Sequence, residues 1–433
     1  MYVRPKYARV FSVLVAAGLA SLPTQDAGAA GFALMEQNAS GLGNAYAGQA
    51  AAAEDASTIF FNPAGMTNLK GRQVVGALNA IRPSAEFNDE GSTPPLAQNG
   101  GGDGGDSGDL ALVPAAYLSW EMIPDKLWLG IGVGAPFGLK TEYEDDWIGR
   151  FRAVKSEVKT ININPSIAWK FNETVSIGGG LNAQRIEAEL SNQQSYIGTG
   201  GDEGLATVEG DDWAWGWNIG IMFNVAPSTR IGLAYRSQVE YSLEGDVRFR
   251  NPPPAFAALQ PNGDIEADID LPESFSIALS HSLTPRLQLL ADYTWTGWNS
   301  IQDLIINRDT GAELTRLELQ LKNSWRLGLG LNYQFNDAWK LRFGLAVDKT
   351  PVRDEFRTPR LPDGDRVWAA IGAQWQISKQ ATLDFGYAYI WVDDPEINLA
   401  NNAGDPAPFQ RGTLVGDYDA NVQIFGVQGK FSF

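Results

Sequence analysis

One histidine, His281, and no cysteine occur among the 433 residues. A hydrolytic nucleophile needs a base beside it, and a metal centre needs several imidazole or thiolate ligands. Hydrolysis would have to rest on His281 alone, so an enzyme is not expected, and neither is a metal site, a cofactor or a disulfide framework. A different chemistry is offered by two cations four residues apart in Lys322-Asn-Ser-Trp-Arg326. In a partly dry cavity such groups pair with a carboxylate, which points to recognition of a carboxylate headgroup. An internal salt bridge with an acid such as Glu318 would use them equally well. The chain as a whole is acidic, with 51 Asp and Glu against 33 Lys and Arg. That balance leaves no basic face for nucleic acid.

These cations act only if some element holds them away from water. Residues 314–335 sort by parity into an apolar face, Leu317, Leu319, Leu321, Trp325, Leu327, Leu329, Leu331, Tyr333 and Phe335, and a polar one that includes Arg316, Glu318, Lys322 and Arg326. Side chains alternate along a strand, so the pattern predicts a strand with lipid on one side and a wet lumen on the other. Leu341 to Val347, Val367 to Ile377 and Leu383 to Trp391 repeat it. His281 shares its parity with Phe275, Ile277 and Leu279, and so reads as a residue of the lipid-side rim.

Fourteen such segments follow one another, at 73–88, 110–122, 126–140, 151–171, 174–190, 211–225, 229–249, 264–283, 286–306, 314–335, 338–353, 364–377, 381–394 and 416–433. Short connections such as Asn172-Glu173 and Asn336-Asp337 alternate with others that are mostly long, such as 89–109, 191–210, 250–263 and 395–415. Tight turns on one rim and long loops on the other are the habit of an outer-membrane barrel. The fold class expected is therefore all-β, a 14-stranded antiparallel transmembrane β-barrel.

Residues 1–29 have the layout of a cleaved export signal: basic Arg4, Lys6 and Arg9, an apolar run from Val10 to Ala20, and small residues at Ala27 and Ala29. Export and alternation without a helical span leave a periplasmic protein and an outer-membrane barrel as the classes to separate. The connection lengths favour the barrel. The aromatic C-terminus, Phe431-Ser-Phe433, suits the interfacial girdle and an address read by barrel-assembly machinery. Residues 30–70 do not alternate and have no apolar face long enough to fold alone. They are expected to form a hatch inside residues 71–433, since fourteen strands enclose more space than their own side chains fill.

Several stretches carry a family likeness: Gly31-Phe32, Ser40-Gly-Leu-Gly-Asn-Ala-Tyr-Ala-Gly48, Asn62-Pro63-Ala64, Ala135-Pro-Phe-Gly-Leu-Lys-Thr-Glu-Tyr143, and Trp147-Ile-Gly-Arg-Phe151 leading to Asn162-Ile-Asn-Pro165. Across essentially the whole mature chain, the sequence resembles the long-chain fatty acid outer-membrane transporters of the FadL type, a family that includes toluene-uptake relatives. The resemblance implies a hatch-plugged barrel in the outer membrane of a Gram-negative bacterium that takes up hydrophobic compounds without an energy source there. It implies that Lys322 and Arg185 match the family's lumen cations and that Phe32 and Leu34 touch the ligand. Arg185 shares parity with outward Ile177, Leu181 and Ala183, so a lumen position requires a bulge near 184.

In the third strand, Leu127 to Leu139 on odd positions, with Phe137 among them, read as outward, and Trp128, Gly130, Gly132, Gly134, Pro136 and Gly138 as inward. Inward glycines and a proline without an N–H favour a kink there, and by resemblance the kink is the lateral opening. The same glycines would also make room for a hatch. Apolar Tyr196, Ile197, Phe256 and Leu259 in long loops suit an outer capture groove or plain loop packing. The expected ligands are fatty acids or aromatic hydrocarbons, and the expected surroundings are outer-membrane lipid and lipopolysaccharide around a monomer. A general porin, an outer-membrane hydrolase and an adhesin are the rival readings.

Overall fold

The computed structural model describes residues 31–96, 98–196, 203–399 and 411–433. The expected export signal lies outside the described residues. Fourteen antiparallel strands close on themselves: β1 (Arg72–Asp89), β2 (Ala111–Ile123), β3 (Leu127–Gly134 and Gly138–Glu142), β4 (Lys155–Lys170), β5 (Val175–Ser195), β6 (Glu203–Ala226), β7 (Thr229–Arg236 and Val239–Arg250), β8 (Gly263–Leu271 and Ser274–Thr284), β9 (Leu287–Thr296 and Asp303–Arg308), β10 (Glu313–Glu318 and Ser324–Gln334), β11 (Trp339–Asp348), β12 (Arg366–Gln376), β13 (Ala381–Val392) and β14 (Val415–Ser432). Each pairs with the next, and β14 closes on β1 from Gln73↔Ser432 to Asp89↔Gly416. The connection expected at 191–210 is shorter, because β5 and β6 run on as a paired ribbon to Ser195↔Glu203.

The outer wall is hydrocarbon. Leu129, Ile131, Leu181, Ile219, Ile277, Leu327, Leu329, Phe343 and Ile371 stand exposed on it. Aromatic rings band it: Trp339 and Trp375 stack across β11 and β12 at 5.8 Å, and Trp217 meets Tyr235 across β6 and β7 at 5.2 Å. Such side chains are stable outward only in lipid, where burial in a core offers no advantage.

Towards the long-loop rim the apolar face changes sides. On β5, Arg185 and Glu187 point out and pair with each other at 2.7 Å, while Ile186 is buried inside. The pairing of β5 with β6 runs from Val175↔Phe223 to Ser195↔Glu203 without a shift, so the bulge expected near 184 is absent. On β10 the ladder is interrupted around Gln320, which has φ +43°. Leu319 and Leu321 turn into the interior, whereas Trp325 and Leu327 face out. β3 flips at its own interruption: Phe137 is buried and Leu139 packs inward, against the outward positions that parity assigned them. β3 changes phase across its own break at 135–137, while on β5 and β10 one reason applies. Beyond the hydrocarbon the outer surface meets water, so the apolar side chains belong inside.

Residues Gly31 to Leu69 lie within the barrel, in three single-turn helices (Ala39–Leu42, Gln49–Ala52, Thr58–Phe61) and a 3-10 turn (Pro63–Asn68). Inner-wall side chains hold the segment by its backbone: Asn79 Nδ2 donates to Glu36 O at 2.6 Å, Tyr117 Oη to Gln37 O at 3.0 Å and Trp128 Nε1 to Leu69 O at 2.8 Å. Arg342 on β11 bridges Glu54 of the segment (2.7 Å) and Asp384 of β13 (2.9 Å). Asn62 ties both together, accepting from Ala64 N and donating to Ala50 O at 2.7 Å and Ile221 O of β6 at 3.1 Å. The wall yields space in return. A Cβ at Gly344 would stand 2.0 Å from the Asn44 carbonyl carbon, and one at Gly232 would stand 1.9 Å from Ala50 O.

Gly344→Val is therefore expected to lift the segment from the wall and raise ion conductance in planar bilayers severalfold, with the folded barrel retained on semi-native electrophoresis. Wild-type conductance in a folded variant would contradict this seating.

Candidate functional site

β3 stops at Gly134 and resumes at Gly138. Its ladder with β2 covers only Ala116↔Val133 to Ile123↔Leu127, so Ala111–Ala115 have no partner on that side. The freed backbone finds other partners. Leu34 N donates to Pro136 O at 2.8 Å and Gly138 N donates to Phe32 O at 2.9 Å, making an antiparallel bridge between Ala33 and Phe137. Gln37 Nε2 donates to Ala135 O at 2.6 Å, and Phe137 N donates to Thr160 Oγ1 at 3.0 Å. Gly130, Gly132 and Gly134 face inward, where added Cβ atoms would meet Ile59, Tyr117 and Gln37. They admit the N-terminal segment, and the interruption itself spans Ala135, Pro136 and Phe137.

Beside the bridge lies a cavity between the N-terminal segment and the inner wall. Leu34, Met35, Phe60, Phe61, Pro136 and Phe137 line one part of it, and Asn218 of β6 and Arg236 of β7 another. A second cavity of about 500 Å³ lies on the other side of the bridge, lined by Gly31, Leu139 and Leu361 among others. Phe32 sits beside the bridge, with its ring 4.8 Å from Trp298 and 6.1 Å from Phe137. Such ring pairs contribute about 0.5–1.5 kcal/mol each beyond area burial. They belong to an interior apolar cluster that continues through Ile186, Tyr241, Leu271, Leu321 and Val352.

The three cations singled out from sequence do not meet in this cavity. Arg185 lies on the outer face, paired with Glu187 and with Asp211 at 3.2 Å. Lys322 is exposed next to the buried Leu321, so it is not enclosed in the lumen. Arg326 is buried inside, but it donates to Ala45 O, lies 3.5 Å from Asp292 and covers the Trp368 ring at 5.4 Å. Leu34 lines the cavity; Phe32 supports it from behind. Of the loop residues, Tyr196 is buried against Phe256 (5.0 Å) and donates to Gln260 at 2.9 Å, while Leu259 is exposed and Ile197 lies outside the described residues. Arg236 was not singled out from sequence. Its signal was its inner-face parity, one position after the outward Ile231, Leu233 and Tyr235.

A family model described as outer membrane protein transport protein (OMPP1/FadL/TodX) matches residues 20–433. Outer membrane protein P1 of Haemophilus influenzae is 28% identical over 446 residues, covering 94% of this chain and 96% of its own. The long-chain fatty acid transport protein of Escherichia coli O6:H1 is 28% identical over 408 residues, covering 87% of this chain and 90% of its own. The crystal structure of a Pseudomonas aeruginosa FadL homologue shares 26% identity and superposes with a TM-score of 0.87, over 93% of this chain and 100% of that one.

The placement of the cations is checked by the temperature at which the folded band is lost on electrophoresis. Arg326→Met strands Asp292 and is expected to cost about 3–5 kcal/mol. Arg185→Ala and Lys322→Ala are expected to cost under about 1 kcal/mol, as exposed ion pairs and surface charges do.

Proposed function

The chain belongs to the outer membrane protein transport protein family (OMPP1/FadL/TodX), and from that premise we propose that it carries long-chain fatty acids inward across the outer membrane of a Gram-negative bacterium. It is an outer-membrane channel for passive uptake of hydrophobic compounds, in a family of transport proteins. The observation that carries the reading is the largely apolar cavity between the N-terminal segment and the wall, lined by Leu34, Met35, Phe60, Phe61, Pro136 and Phe137. Each methylene moved from water into such a place contributes about 0.8 kcal/mol, so capture needs no energy source.

The route follows from what is closed. Residues 31–69 act as a hatch that fills the lumen, and a straight aqueous path would in any case repel a hydrocarbon chain. A ligand gathered at the outer loops, where Leu259 stands exposed, passes to the cavities flanking the bridge between Ala33 and Phe137. It leaves sideways into lipid where β2 and β3 part beside Ala135, Pro136 and Phe137. The closed wall suits a monomer among lipid and lipopolysaccharide, with Phe433 as the signal for barrel assembly. A porin for polar solutes would need the open lumen that the hatch occupies.

The role of the break is open to a redox test. Cysteines at positions 33 and 137, in a chain with none of its own, would face each other as a non-hydrogen-bonded antiparallel pair with Cα atoms about 4.5 Å apart, within disulfide reach. Oxidised A33C/F137C is expected to take up labelled fatty acid at under about a tenth of its reduced rate, as a locked gate does. Equal uptake in both redox states would show that the N-terminal segment need not leave the break.

A further inference from the structure

On the wall of the first cavity, Asn218 of β6 and Arg236 of β7 are direct cross-strand partners on the inner face. Of the buried arginines, Arg326, Arg342 and Arg366 each face a carboxylate, while Arg360 is held by Lys155 O, Ser156 Oγ and Ser191 O. Arg236 has no carboxylate partner among the described residues. Its Nη1 donates to Asn182 Oδ1 at 2.6 Å and its Nη2 to Phe60 O at 3.0 Å, with the guanidinium 4.5 Å from the Phe60 ring centroid. A guanidinium carries five N–H groups, so these two bonds leave donor capacity over on a side chain that lines the cavity.

Asn218 adds a second donor. Its side chain is only 4% exposed. Its Oδ1 already accepts from Asn164 Nδ2 at 3.0 Å and from Asn182 Nδ2 at 3.2 Å. Two donors on one atom fix which end of the amide is oxygen. The Nδ2 group is thereby left buried beside the cavity without an acceptor in the protein. A buried donor left unpaired is costly, so this pair of neighbours asks for an acceptor from outside the chain.

We propose that Arg236 and Asn218 form a carboxylate-binding subsite, which holds the headgroup of an amphiphilic acid while its hydrocarbon lies against Leu34, Phe60, Phe61 and Phe137. The inference rests on the uptake function above and names the chemistry that the cavity selects. A carboxylate has two oxygens with about four lone-pair sites, enough for the guanidinium and the amide together. An alcohol of the same length offers one neutral oxygen, and an aromatic hydrocarbon offers no acceptor of comparable strength. The subsite therefore favours acids over neutral ligands of equal hydrophobicity.

The test is equilibrium binding of oleic acid and of oleyl alcohol to the detergent-purified full chain at pH 8, for wild type, Arg236→Gln and Asn218→Asp. Asn218→Asp supplies Arg236 with a carboxylate from the chain itself, so it pairs the buried cation and keeps the fold should Arg236→Gln lose it. Both variants are expected to weaken the acid about ten- to hundredfold, the worth of a charge-assisted hydrogen bond, and to leave the alcohol essentially unchanged. Equal weakening of acid and alcohol, or an acid affinity that neither folded variant alters, overturns the subsite. Wild type that binds the alcohol as tightly as the acid also overturns it, but leaves hydrophobic uptake standing. Wild type that binds neither ligand overturns the uptake reading as well.

Discussion

A backbone amide in hydrocarbon has no water to fall back on, so every N–H and C=O of a spanning segment must be paired within the protein. In this chain the requirement produces a wall of fourteen strands with β14 joined to β1. It also gives the interruption of β3 its meaning. Pro136 has no N–H to offer, β2 leaves the ladder above Ala116, and groups of the break are met from inside by Phe32, Leu34 and Gln37 and from β4 by Thr160. The N-terminal segment thus completes the wall at the place where a ligand would leave it. A partner of that kind can be withdrawn, whereas a neighbouring strand cannot.

The interior obeys the same accounting from the other side. The N-terminal segment has only single-turn helices, which leave most of their backbone groups unpaired. Asn62, Asn79, Tyr117 and Trp128 supply the missing partners from the segment itself and from the wall. Inward glycines let backbone approach backbone. The segment is consequently dense where it meets the wall, with Leu42 and Tyr46 packed against Trp368, Ile390 and Ile424, and an apolar space remains on the β3 side around Leu34, Phe61 and Phe137.

The strand count, the alternating connections and the lipid face were legible because one physical contrast, lipid against lumen, is written at every second residue. The same rule misled where its premise ended. Above the hydrocarbon the outer face is wet, so the apolar parity at Ile186 and Leu321 is the inner one, and at Phe137 the break in β3 has changed the phase. Carrying the lipid parity upward turned Phe137 out and put Lys322 in the lumen, and a lumen place for Arg185 needed a bulge that the continuous β5 ladder lacks. Arg236 escaped notice for a complementary reason. Its parity was readable, but the absence of an acid beside it depends on β5, β6 and the N-terminal segment, which meet only in three dimensions.

The central claim is that a hydrophobic acid lodges between the N-terminal segment and the wall, inside a barrel whose lumen is otherwise filled. A crystal structure of the protein soaked with a long-chain fatty acid brominated near its methyl end tests it most directly. The account predicts an anomalous bromine peak within the cavity bounded by Leu34, Phe61 and Phe137. Bromine found only on the lipid-facing wall, with none in that cavity, would contradict it.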